Sequence, residues 1–554
     1  MLSKLSVKKD ITTRAFFIVA VIFVAVKLVL ASQQMVYINP DGAPIDDTLM
    51  FNAAVSITNG EWLGGYNWLT LSKYPFFPIY LALQSTLHIP YLLGNQLLQL
   101  ASCAFAVYAF APVIKNKILR LALFAALLYN PAVNSAAVQL RVYRDSISAQ
   151  LALLFFAGFV GFALRYKQSA VHTLPFLVIG GIGLAASYLN REDGVWLLPF
   201  AICATITVCI YLIIEKNYAK CALQIIPYAI LCAAILAVCA MNSVYYGRFI
   251  ISDYTSAEFK DACGALMRVS AETESVEKTP VTLAARRVIA ENIPEFADVE
   301  ARLESIDQIN GMGDAETLEY AAGGFFWALR QSVYESGYAD TALEAEQYYK
   351  NLAEKINALC DSGVIAGGKR QSGTMMPFKA SYIAPVAGEA LSNMLRALTF
   401  DEAQPYYADD LSIATPDILA QYQAFLRSDI NYSAVPNTST PYYTPAQHAA
   451  YAVMRVIKYV LIIFMCVGFI VAFIWQIKAV HSMIKRKNTD DLLLWIIELG
   501  LLLCALLRCG IIAYMFVTSF NEGVPHIMYL SAVHPILLLF AAVGTAKMAQ
   551  AHER

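Results

Sequence analysis

The chain is built from long apolar blocks separated by short polar ones. Apolar runs lie near 15–32, 93–114, 118–137, 146–164, 173–190, 195–214, 221–241, 456–477, 492–513 and 527–548. Each is about 20 residues, the length an α-helix needs to cross ~30 Å of hydrocarbon. The pattern predicts an all-α polytopic membrane protein with about ten transmembrane helices. Residues 33–78 follow the first run and are too polar to cross. Residues 75–91 are apolar but carry Pro75, Pro78, Pro90, Gln84 and His88. We read them as an amphipathic helix partly immersed against the outer face, with a full crossing as the alternative.

Between 242 and 451 the pattern changes to that of a soluble, mainly helical domain of roughly 200 residues. Helical spacing predicts elements over 282–306, 317–336 and 341–360, the last stopped by Gly363. Residues 430–445 read as a linker. The expected organisation is an N-terminal transmembrane module (1–241), an extracytoplasmic helical domain (242–451) and a C-terminal transmembrane module (452–554). No internal repeat is visible, whereas inverted-repeat transporters often show one.

Composition agrees: 58% of residues are hydrophobic and 15% charged, against about a quarter charged in soluble domains. The net charge of −2 carries no information, and no basic face suggests nucleic-acid binding. Most of the 11 cysteines sit in apolar runs as small core residues. Cys263 and Cys360 fall in the polar region and could form a disulfide in an oxidising compartment. No CxxC or HExxH pattern suggests a zinc site.

Charge fixes the expected sidedness. Lys4, Lys8, Lys9 and Arg14 precede the first run, which reads as a retained span. If 75–91 does not cross, the loops at 115–117, 165–167, 215–220 and 481–487 all face the cytoplasm, and all are basic. If it does cross, the rule fails at each of them. The protein is therefore expected in the plasma membrane, N-terminus cytoplasmic, with the 242–451 domain outside.

That topology gathers unusual residues at the outer ends of the helices. The first loop supplies Asp41, Asp46, Asp47 and Lys73; the next, Arg141, Tyr143, Arg144 and Asp145; the third, Asn190, Arg191, Glu192 and Asp193; the last, His526, Tyr529 and His534. Arg508 lies about 16 residues into an outward-running helix, near the same boundary. Ionisable groups at membrane depth are costly unless paired or solvated, so they mark a functional site by default. Asp46 or Asp47 could take a proton from a hydroxyl. Lys73, Arg141, Arg144 and Arg191 could hold a phosphate. The bland readings are an N-cap at Asp46 and Asp47, a snorkelling Lys73, and ion pairs that pin loop ends. Asn431 and Asn437 head glycosylation-type triplets that are common by chance.

The chain resembles GT-C-type glycosyltransferases, multispan enzymes that use polyprenyl-phosphate-linked sugars and include protein O-mannosyltransferases and aminoarabinose transferases. The resemblance rests on Ile45-Asp46-Asp47 in the first outer loop, Lys73-Tyr74-Pro75, Asn130-Pro131 before Arg144-Asp145, and Tyr529 with Pro535. It covers roughly the first 240 and last 100 residues. It implies Asp46 as catalytic base, Lys73 as phosphate contact and Asp145 as a second outer carboxylate for acceptor or metal. The chain has Asp-Asp where members often have Asp-Glu, and His526 with Tyr529 where they often have Arg-Tyr.

The expected function is sugar transfer from a polyprenyl-phosphate donor to a glycan, lipid or protein acceptor. Asp46 and Asp47 are the catalytic candidates, and Asp145, Glu192, Asp193, His526 and Tyr529 the acceptor-side ones. No cofactor is certain; Asp46, Asp47 and Asp145 could bind a divalent metal. The alternatives are a lipid-linked oligosaccharide ligase or polymerase, a transporter or flippase of lipid-linked sugars, or a receptor acting through its outer domain.

Overall fold

The computed structural model describes residues 11–553, except 272–277, 306, 308, 310–311, 409, 434–439, 488 and 521–523. Lys4, Lys8, Lys9 and Asn437 lie outside the described residues. Among those described there are no named strands, and nine helices are long and apolar enough to cross a membrane.

Helix α1 (Thr13–Ala31) leads into a loop carrying the short α2 (Leu49–Thr58) and α3 (Phe76–Thr86). Eleven residues of α3 span about 17 Å, too little to cross, as expected for an immersed helix. Then follow α4 (Tyr91–Phe110), α5 (Lys117–Leu128), α6 (Asp145–Ala163), α7 (Ala170–Asn190), α8 (Leu198–Ile214), the short α9 (Tyr218–Leu223) and α10 (Ile226–Tyr246). Helix α6 is the buried centre of this bundle. It packs closely on α7 because Gly158 meets Gly180 there: a methyl on either would strike the other's backbone. Small residues of this kind let membrane helices approach.

The run at 118–137 differs from expectation. Helix α5 has 12 residues, and the chain then coils tightly over 132–140, buried except at the partly exposed Ala137. Pro131 is the reason: it has no N–H to donate, and it biases Asn130 away from helix. The Asn130 side chain accepts from the Ala132 N–H at 3.0 Å and starts the turn. Such irregular backbone is tolerated at depth only when enclosed by protein.

The next segment forms α11 (Ala257–Arg268), α12 (Leu283–Asn292), α13 (Pro294–Leu303), α14 (Ala322–Glu335) and α15 (Ala342–Asp361) around their own core, which includes Phe259, Phe296, Phe325, Leu329 and Ile356. The helix expected over 282–306 is two helices, because Ile293 before Pro294 is extended. The one expected at 317 starts at 322, after an antiparallel bridge between Asp314 and Glu319. Helix α15 matches expectation, opened by a Thr341–Glu344 capping box. Cys263 and Cys360 are free thiols, so the disulfide is not formed; Cys263 is wholly buried in the helical core.

Helix α16 (Ile383–Thr399) packs along a membrane helix, and its Met394, Ala397 and Leu398 join the membrane-bundle core. Helix α17 (Pro416–Leu426) covers the first loop, with Tyr422 stacked on Phe51 at 3.6 Å. Asn431 is buried and donates to the Asp410 carbonyl at 2.8 Å, which leaves it unavailable for glycosylation. The chain ends with α18 (Pro445–Arg486), α19 (Leu492–Thr518), the short α20 (His526–Leu530) and α21 (Val533–Glu553). Apolar side chains cover the outside of the bundle, among them Phe17, Val21, Ile206, Ile210, Ile463 and Ile470.

The bundle has two chemically distinct ends. At one, Lys117 donates to the Ile11 carbonyl at 3.2 Å, Arg165 to that of Ala109 at 2.6 Å, Lys220 to that of Tyr166 at 3.0 Å and Gln550 to that of Val113 at 2.8 Å. The basic loops at 115–117, 165–167 and 215–220 therefore share this end. The mixed acidic and basic connections share the other.

Candidate functional site

Asp46 and Asp47 lie in a wide helical turn over Pro44–Thr48, where both backbone N–H groups reach back to the Ala43 carbonyl at 3.2 and 3.0 Å. Being adjacent, the two carboxylates enter different surroundings. Asp47 is 4% exposed and gripped by Arg141, whose Nε lies 2.8 and 3.0 Å from its two oxygens. Asp46 is 32% exposed. One of its oxygens pairs with the buried Lys73; the other receives Arg141 at 3.2 Å.

Lys73 is aimed by a strained loop. Leu71 adopts φ +59°, unfavourable for a branched L-residue by about 1–2 kcal/mol. The Asp253 N–H holds its carbonyl at 2.8 Å. A cavity of about 80 Å³ opens beside Lys73, with Met50, Ala53, Leu71 and Pro78 in its wall.

Tyr143 is the hub. Its hydroxyl accepts from Lys73 at 2.9 Å and donates to Asp46 at 3.0 Å. Its ring centroid lies 5.0 Å from Lys73 Nζ, 4.8 Å from the Arg141 guanidinium and 5.3 Å from that of Arg144. Beyond it the ion pairs continue. Arg144 holds both Glu192 oxygens at 2.7–2.8 Å, and Glu192 accepts the Tyr74 N–H at 3.1 Å. Arg191 pairs with Asp145 and, at 3.1 Å, with Asp193. Arg508 reaches Asp193 at 2.7 Å and the Tyr529 carbonyl at 3.3 Å, while the Tyr529 ring lies 4.8 Å from the Arg191 guanidinium. Two buried polar atoms here, Asp145 Oδ2 and Arg144 Nε, have no hydrogen-bond partner among the described residues.

The charges set the carboxyls apart. Burial pushes Asp46 up, but Lys73 and Arg141 outweigh it and hold it well below the usual carboxylate range. Burial dominates at Asp47 and raises it to about 6 despite Arg141, whose charge is shared with Asp46. Asp193 is also held low, Arg191 and Arg508 outweighing its burial.

The structure thus brings together Asp46, Asp47, Lys73, Arg141, Arg144, Asp145, Arg191, Glu192, Asp193 and Tyr529. His526 stands apart: its ring nitrogens engage Glu389 at 3.1 Å and Glu402 at 3.3 Å, and it stacks on Phe516 at 3.8 Å. His534 is buried against Phe400. Asp46 and Asp47 share Arg141, while Asp145 faces Arg191. Among the described residues no group of three or more His, Cys, Asp or Glu could hold a metal ion. Sequence reasoning gave Tyr143 no role, although its place between Arg141 and Arg144 was the available signal. It missed Trp327, whose ring in α14 lies 5.5 Å from Lys73 Nζ, and nothing in the sequence pointed to it.

No family model matches the chain, and no curated protein does. Among solved structures the chain is similar to ArnT from Cupriavidus metallidurans in the apo state, at 14% identity and a TM-score of 0.32, over 95% of this chain and 77% of that one. A likeness of that size carries no argument about activity.

Proposed function

We propose that the protein is an integral-membrane glycosyltransferase that moves a sugar from a polyprenyl-phosphate donor to an acceptor hydroxyl on the extracytoplasmic side. The observation that carries the reading is the asymmetry of the acidic pair. Asp46 is open to an incoming group and paired through a lysine that a phosphate can claim, while Asp47 is shut in by Arg141. The sequence resemblance to GT-C enzymes and the basic loops at the opposite end of the bundle support the same reading.

The donor's first isoprene units enter the apolar-walled cavity beside Lys73. The phosphate draws Lys73, with Arg141 or Arg144, away from the carboxylates. Asp46, losing the cations that hold its carboxyl low, becomes a stronger base. The acceptor hydroxyl gives its proton to Asp46, its oxygen bonds to the anomeric carbon, and the bond from that carbon to the phosphate oxygen breaks. Polyprenyl phosphate leaves with the electron pair, its charge held by the same cations. The unpartnered Asp145 Oδ2 and Arg144 Nε offer one acceptor and one donor to the sugar or the acceptor.

The test is transfer from a panel of polyprenyl-phosphate sugars by the purified protein, with and without chelator. Asp46→Asn should abolish transfer while keeping fold and expression. A fully active Asn variant removes the base from this scheme.

A further inference from the structure

A second group of cations lies outside this site and behaves in the opposite way. Lys27 of α1 and Arg455 and Lys458 of α18 line one cleft, together with Leu30, Tyr129 and Asn134. In the site above, Lys73, Arg141, Arg144, Arg191 and Arg508 each face a carboxylate. Here none of the three cations makes an ion pair among the described residues. Lys27 is 2% exposed and donates to the Asn134 amide oxygen. Lys458 donates to the Ala403 carbonyl at 3.1 Å, and the Arg455 guanidinium lies 5.8 Å from the Tyr406 ring. Asp401, close in sequence to Ala403, is itself engaged with Arg396 at 3.5 Å.

The cations form a graded row. Arg455 and Lys458, three apart on α18, share a helix face. Arg455 is exposed, Lys458 half-buried and Lys27 buried. The cleft holds about 20 Å³ of free space, enough for one water, so a larger anion seats at its mouth against Arg455 and Lys458. The cleft lies one to two turns inside the ends of both helices: Tyr451, two turns from Lys458, donates to the Gln33 carbonyl just past the end of α1 at 2.8 Å. A buried lysine that faces only an amide, beside two further cations without acids, is costly at that depth unless an anion answers it.

We propose that this cleft between α1 and α18 binds a phosphate group, presented by an anionic lipid or free in solution, at a site separate from the Asp46 cluster. For a transferase of the kind proposed above, it is a resting place for the carrier phosphate. The site itself rests on the charge imbalance and not on that reading.

The experiment uses the full chain in phosphatidylcholine nanodiscs. It is titrated separately with a short-chain polyprenyl phosphate, with phosphatidylglycerol and with inorganic phosphate, and binding is read by native mass spectrometry. Native mass spectrometry counts bound ligands, so polyprenyl phosphate held at the Asp46 cluster is scored apart; Arg455→Gln/Lys458→Gln should weaken the other binding event at least tenfold, while the charge-matched control Lys350→Gln/Lys369→Gln stays within twofold of wild type. Loss confined to the two lipid ligands assigns the phosphate to a lipid; equal loss for inorganic phosphate assigns recognition to the phosphate alone. Wild-type binding by Arg455→Gln/Lys458→Gln, or an equal fall in the control, overturns the proposal. If the double variant does not fold, the exposed single change Arg455→Gln is read in its place, with a threefold loss expected and none overturning it. Binding needs no turnover, so failure of the transfer assay leaves this result intact. A transferring protein whose double variant binds normally defeats this inference alone.

Discussion

The Tyr143 hydroxyl donates to Asp46 at 3.0 Å, and this bond couples the open carboxylate to the cations around the Tyr143 ring. It fixes one lone pair of Asp46 and orients the rest of the carboxylate. Removing the hydroxyl and keeping the ring separates those two effects. Tyr143→Phe should lower kcat about 10- to 100-fold, the size of a hydrogen bond to a charged group, with little change in the donor KM. Steady-state kinetics checks it; an equal rise in KM with kcat unchanged would assign Tyr143 to binding instead.

Trp327 reaches Lys73 from the segment between the two membrane modules. In the proposed scheme that contact gives α14 a part in donor binding. Trp327→Ala should remove a cation–π contact of about 0.5–2 kcal/mol and loosen Lys73. Donor KM is then expected to rise about two- to thirtyfold, with kcat much less affected. A variant with wild-type donor KM would show that the ring only packs there.

Both contacts show where the sequence was legible. Charged residues beside apolar runs stand out against lipid, so Asp46, Lys73, Arg144 and Arg191 could be found without coordinates. The apolar runs exposed the membrane helices for the same reason. Trp327 carries no such mark, since an aromatic on an amphipathic helix is ordinary core until docking places it over a lysine. His526 read as a site residue because it sits in an outer loop. Its partners Glu389 and Glu402 lie more than a hundred positions earlier and draw it aside. The breaks at Pro131 and Pro294 were visible in principle. Apolar content outweighed proline in reading 118–137, and helical spacing did so in reading 282–306.

One displacement at the anomeric carbon inverts its configuration. In the proposed scheme Asp46 is the base, and Asp47, buried beside Arg141, takes no part in bonding to the sugar. The product should carry the opposite anomeric configuration to the donor, read from the anomeric proton coupling or carbon shift. Retention, or a trapped glycosylated Asp47, would replace this scheme with double displacement.

The acidic pair also predicts a pH profile. Asp47 is raised to about 6 by burial, so the fold favours its protonated form. Its contribution to stability is present below the ordinary carboxylate pKa of about 4 and is lost as pH rises through about 6. Asp46 is lowered, so its contribution is present above that ordinary value and fades only as pH falls toward its depressed one. Near pH 6, then, Asp47 changes charge while Asp46 stays ionised. Below that point Asp47 no longer draws Arg141, which leans on Asp46 and makes it a weaker base. kcat/KM should therefore fall on the acid side with a limb near 6. Asp47→Asn mimics the protonated form, so its profile should lose that limb and stay at the low plateau. The Tm of Asp47→Asn relative to wild type should rise between about pH 4 and pH 6 and level off above it, because over that window ionisation favours the unfolded wild type alone. An unchanged acid limb in Asp47→Asn would assign that titration to another group.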